Sequence, residues 1–102
     1  MALEITKSAF GTSLALTLTG RLDTVTSKEF DAEFEAAAPG MKDVTLDFVG
    51  LEYISSAGLR SLLKAKRALS GGTIKIIHAN AAVRDVFAMS HFSDHLPLEG
   101  DA

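Results

Sequence analysis

Two segments of this chain alternate apolar and polar residues with a period of two. In Ser13 to Thr19, Leu14, Leu16 and Leu18 fall on one face, with Ala15, Thr17 and Thr19 opposite. In Asp43 to Phe48, Val44, Leu46 and Phe48 do the same. Such alternation marks a half-buried strand. Between and after these segments the apolar spacing changes to that of a helix. Strands separated by helices pair in parallel through right-handed crossovers, which points to an α/β sheet.

The remaining segments fit that frame. Leu3 to Thr6 is expected as a short edge strand, joined to the second strand by a turn at Gly11-Thr12. This opening hairpin makes the sheet mixed. Gly20 is expected to end the second strand, with Arg21 to Thr24 as a loop. Thr26 and Glu29 have the spacing of a capping box, so a first helix is expected from about Ser27 to Ala38. Phe30, Phe34 and Ala37 form its inward stripe, and Pro39-Gly40 stops it. After the third strand, whose apolar run continues through Val49, Leu51 and Ile54, Ser55-Ser56 precedes a second helix. Leu59, Leu62, Leu63, Lys66 and Leu69 define its inner edge, and Gly71-Gly72 supplies a left-handed cap. Thr73 to Ala79 reads as a strand. Asn80 caps a third helix, about Ala81 to Met89, buried through Val83, Val86 and Phe87. Leu96 and Leu98 flank Pro97, so the tail adds at most a short edge strand. The expected fold is α/β: a small mixed sheet with helices packed mainly on one face, formed by residues 1–102 as one domain.

Composition narrows the function classes. The chain has 102 residues, 10 basic and 13 acidic, for a formal net charge of -3. That balance offers no basic face for nucleic acid. The short run Lys64-Ala65-Lys66-Arg67 reads as the solvated end of a helix, where cations complement the dipole. With no cysteine, disulfides, thiol catalysis and cysteine-ligated metal are excluded. No stretch approaches the roughly 18 apolar residues of a membrane span, so no membrane insertion is expected. The first ten residues do not read as a signal peptide, and a cytoplasmic protein is the expectation. His91 and His95 stand four apart but lack a third ligand spaced nearby. His78 reads as packing or solvated. Gly50 and Gly71-Gly72 form no phosphate-cradling motif. Phe87, Met89 and Phe92 read either as core or as a contact patch, with core favoured for Phe87.

One constellation carries chemistry: Ile54-Ser55-Ser56-Ala57-Gly58-Leu59-Arg60, where a strand hands over to an amphipathic helix. A helix start has unpaired N–H groups and a positive dipole end, which tolerate an added phosphate. Phosphorylation there would add close to two negative charges to the surface. A serine in this place is also a common structural N-cap. Gly58 serves equally well to permit close packing or a sharp bend.

This segment resembles the phosphorylation loop of STAS domains, the family of bacterial anti-sigma-factor antagonists. Gly20-Arg21-Leu22-Asp23 resembles that family's loop after the second strand, and Val44-Thr45-Leu46-Asp47-Phe48 its central strand. The likeness covers nearly the whole chain. It implies a non-enzymatic partner switch, without a cofactor of its own, in transcription regulation. In that family the unphosphorylated antagonist binds an anti-sigma factor that is also a serine kinase. The kinase phosphorylates it with ATP, and a PP2C-type phosphatase resets it. The best-known antagonists carry the acceptor directly before the glycine, where this chain has Ala57, and an aspartate where it has Ser55. The family's Ser-Ala-Gly-Leu variant implies Ser56 as acceptor, with Ser55 second. The implied partner-binding residues are Asp23, Ser55, Ser56, Ala57, Gly58, Leu59 and Arg60. Asp23 has an equal alternative as a turn cap near Thr24 and Thr26. A different role, suggested by Ala57, is an adaptor subunit, never phosphorylated, of a membrane transport or other regulatory complex.

Overall fold

The computed structural model describes residues 3–69 and 71–89, and the backbone of 98–99. The elements run β1 (Leu3–Phe10), β2 (Ser13–Leu22), α1 (Thr26–Ala37), β3 (Asp43–Ile54), α2 (Ser56–Ala68), β4 (Thr73–Ile77), α3 (Ala81–Met89) and β5 (Leu98–Glu99). One sheet holds the strands in the order β1-β2-β3-β4-β5. β1 and β2 are antiparallel, and every other neighbour pair is parallel. The mixed α/β sheet expected from the two periodicities is therefore present. His91, Phe92, His95, Leu96 and Pro97 lie outside the described residues.

The register stacks the alternation of neighbouring strands. Leu14 pairs with Val44 and Val44 with Ile74; Leu16 pairs with Leu46 and Leu46 with Ile76. All six are buried. The opposite face carries Ala15, Thr17, Thr45, Asp47 and Lys75, none of them buried. Phe30 and Phe34 of α1, Leu59, Leu62 and Ala65 of α2, and Val83 and Phe87 of α3 complete the core. The sheet thus has one covered face and one polar face, as an alternating strand requires.

The observed elements differ from expectation in several places, each with a cause. β1 extends to Phe10, because its register with β2 runs unbroken from Leu3↔Gly20 to Phe10↔Ser13. β2 does not end at Gly20. Gly20 takes φ 112°, and the register with β3 shifts between Gly20 and Arg21. The glycine absorbs an irregularity and the strand continues to Leu22. β4 stops at Ile77 because His78 adopts φ 62°, outside the extended region. On α2 the inner face includes Ala65, while Lys66 is exposed and Leu63 half-buried. The four-residue step from Leu62 toward Lys66 rotates past the contact stripe, and the step to Ala65 stays within it.

The capping box at Thr26 and Glu29 does not form. Thr26 is the first helical residue, and Val25 before it makes no side-chain cap bond. The Asp23 carboxylate instead accepts from the Val25 and Thr26 amides, each at 3.1 Å. Asn80 caps α3 as expected: its Oδ1 accepts the Val83 amide at 2.8 Å. Its Nδ2 donates to the Leu51 carbonyl at 3.0 Å, which ties α3 to β3.

The two faces of the sheet make a direct test. Leu46→Ala should cost about 2–5 kcal/mol in urea unfolding. The neighbouring Thr45→Ala, on the polar face, should stay within about 0.5 kcal/mol.

Candidate functional site

The site lies where β2 and β3 end and α2 begins. Leu22 and Ile54 are register partners, and the Leu22 carbonyl accepts the Ser55 amide at 2.9 Å. This bond sets the first residues of α2 beside the loop that carries Asp23.

Ser55 is the N-cap of α2. Its backbone is extended, with φ -102° and ψ 176°, and its hydroxyl accepts the Gly58 amide at 3.3 Å. It is half-buried. Ser56 is the first helical residue and is exposed. Ala57 is half-buried, Gly58 and Leu59 are buried, and Arg60 is exposed. The expected segment therefore splits. Ser56 and Arg60 face outward, while Gly58 and Leu59 hold the helix in place and present little to a partner.

Gly58 is required by close packing. A Cβ there would stand 2.8 Å from the Leu22 carbonyl oxygen and 2.8 Å from Ile54 Cγ1. The same carbonyl that holds Ser55 thus leaves no room for a side chain one turn later.

Asp23 is built into its own loop. Beyond the two amides, its Oδ1 lies 3.1 Å from Thr26 Oγ1, and its Oδ2 lies 3.9 Å from Arg21 Nε. The Thr26 hydroxyl accepts the Asp23 amide at 2.8 Å and donates to the Arg21 carbonyl at 2.8 Å. The Thr26 amide, foremost, holds the Asp23 carboxyl below its ordinary range, against a partial desolvation that pushes it up. The Thr26 hydroxyl, the Val25 amide and the Arg21 guanidinium act in the same downward direction. Of its two readings, the turn cap is the one with geometry behind it.

Several neighbours were not legible as site residues. The Arg21 guanidinium lies 4.7 Å from the centre of the Tyr53 ring, a cation–π contact between register partners on β2 and β3. Val25, in the Asp23 loop, is 71% exposed. A groove of about 310 Å³ runs beside the start of α2, lined by Thr24, Ser27, Lys28, Asp31, Ala57, Arg60, Ser61 and Lys64. Only the strand register could have revealed Arg21–Tyr53, and only helix packing the groove. A larger opening, about 370 Å³, lies at the far end, where α1 and α2 finish; its lining includes Phe34, Met41 and Leu69. It touches none of the expected site residues.

His78 is exposed, and its Nδ1 lies 2.9 Å from Asp47 Oδ1. Among the described residues no group of three His, Cys, Asp or Glu could hold a metal ion. No helix among them is long and apolar enough to cross a membrane. Phe87 is buried and Met89 is exposed.

A family model, the Mlab STAS domain, matches residues 5–98. The chain belongs to the STAS domain family. A relative named as an anti-sigma factor antagonist, BtrV of Bordetella bronchiseptica, is 30% identical over 99 residues, covering 94% of this chain and 85% of its own. An anti-sigma factor antagonist from Mycobacterium paratuberculosis has the same fold, with TM-score 0.85 at 17% identity, over 94% of this chain and 84% of that one. SpoIIAA shares it too. Its unphosphorylated form gives TM-score 0.83 at 19% identity, over 99% of this chain and 89% of that one. The phosphorylated form of the Bacillus protein gives 0.73 at 18% identity, over 99% and 92%. The STAS assignment agrees with the resemblance seen in the Gly20–Asp23 loop, the β3 strand and the Ser55–Arg60 segment.

Two results should follow from this geometry. Gly58→Ala should destabilise the fold by about 1–3 kcal/mol in urea unfolding, because backbone must move to admit one methyl. The Asp23 carboxyl, depressed in the folded chain, contributes stability that is present above its unfolded value of about 3.9 and lost as pH falls through the folded value. Thermal melts of Asp23→Asn should therefore be less acid-sensitive below about pH 4 than those of the parent.

Proposed function

We propose that this STAS domain is an anti-sigma-factor antagonist that works as a phosphorylation-controlled partner switch. Unphosphorylated, it binds an anti-sigma factor that is also a serine kinase. Phosphorylated, it lets go, and a PP2C-type phosphatase resets it. On this reading the domain is a cytoplasmic binding module and the chemistry belongs to its partners. The observation that carries the proposal is the division of labour between two adjacent serines. Ser55 spends its hydroxyl on the Gly58 amide, whereas Ser56 stands exposed on the first turn of α2. Ser56 is therefore the acceptor, and Ser55 the second choice. The exposed Ser56 and Arg60, with Ala57 and the Asp23 loop beside them, form the docking face, and the buried Gly58 and Leu59 support it from beneath. A phosphate placed there brings close to two negative charges onto a surface that a partner must desolvate.

A second reading keeps the fold and drops the phosphate: a constitutive adaptor subunit of a membrane transport or other regulatory complex. Ala57, directly before Gly58, favours it.

Incubation with the cognate kinase and ATP, followed by intact-mass spectrometry, should show one added phosphate. Ser56→Ala should abolish most of it, and the double variant with Ser55→Ala all of it. A phosphate that survives the double variant, or none on the parent chain, defeats the switch. Ser56→Asp should leave the melting profile intact and lower kinase affinity at least tenfold; unchanged affinity counts for the adaptor.

A further inference from the structure

Ser56 and Arg60 are one helical turn apart on α2, which is regular from Ser56 to Ala68. Residues four apart on a helix stand about 5–6 Å from one another at Cβ, and an acid N-terminal to a base is the favoured order. Both side chains are exposed. Arg60 lines the groove between α1 and α2, together with Lys28 and Asp31 of α1 and Lys64 of α2. Lys64 is already engaged: its Nζ lies 3.9 Å from Asp31 and 3.6 Å from Glu35. Across the site, Arg21 is engaged with Asp23 and Tyr53. Among the described residues Arg60 has no carboxylate within 4.0 Å, nor does Lys28. The first turn of α2 also contains no acidic residue.

We propose that Arg60 is the receiver of a phosphate on Ser56. Resting on the phosphorylation reading above, this assigns the modified state a specific conformation. The phosphate lies along the first turn of α2 and takes a charge-assisted, two-pronged bond from the guanidinium. Phosphorylation then changes the docking face in two ways. It adds negative charge, and it withdraws the one arginine of the segment from any acidic group of the partner.

The test installs phosphoserine at position 56 of the full chain by genetic encoding, so no kinase is needed. The second ionisation of the phosphate, near pH 6 for a free phosphoserine, is followed by ³¹P NMR. In the folded parent it should lie below its value in the urea-unfolded chain. Arg60→Gln should raise it by about 0.3 pH unit, the size of a helical ion pair expressed as a pKa shift. Arg60→Lys should keep part of the shift. Lys64→Gln should leave it nearly unchanged, because that cation is held by Asp31 and Glu35. In the parent, the Arg60 Nε–H resonance should move with the same midpoint as the phosphorus signal. An Arg60→Gln curve that superimposes on the parent's overturns the assignment, and so does a Lys64→Gln shift of equal size. Either result leaves the kinase experiment intact. Conversely, a chain that no kinase modifies defeats the switch without altering these titrations.

Discussion

The site depends on one backbone carbonyl. The Leu22 oxygen ends β2, accepts the Ser55 amide at 2.9 Å, and would meet any side chain at position 58 at 2.8 Å. The first contact fixes where β3 hands over to α2. The second forces a glycine one turn into the helix, so that α2 can lie close against the strand end. A buried carbonyl left without its donor costs about 1–3 kcal/mol, so this seam resists being opened. With it in place, Ser56 has a defined outward direction, and Leu59 and Leu62 a defined inward one.

Around that seam the polar groups divide into those already committed and those still open. The Asp23 carboxylate is occupied by the Val25 and Thr26 amides and by Arg21. The Ser55 hydroxyl is occupied by Gly58. Groups tied into local networks hold geometry well, but have little left to offer a partner. A switch needs the opposite: a hydroxyl whose modification breaks nothing that holds the fold. Ser56 meets that condition because its neighbour does the capping.

Much of the fold was legible because its signals are local. The alternation in Ser13–Thr19 and Asp43–Phe48, the Asn80 cap and the Phe30/Phe34 stripe each depend on a few neighbouring residues. The misreadings share the opposite property. Thr26 and Glu29 have correct spacing for a capping box, yet Asp23 takes the Thr26 amide that the Glu29 carboxylate would need. Lys66 and Ala65 are both plausible on an inner edge, and only the packing against the sheet chooses between them. The end of β2 was misplaced because Gly20 can equally stop a strand or carry a bulge through it, and pairing with β3 decides which.

Residue types and their order determined the class of the domain: which segments are strands, which are helices, and that two serines meet a helix start. Those are consequences of period, propensity and capping chemistry, all of which act within a few residues. Tertiary structure alone decided that Ser56 is left exposed, why residue 58 is glycine, and that Arg60 lines a groove with Lys28 and Asp31. Each of these depends on a contact between elements far apart in the chain, set by the sheet register and the seating of α2.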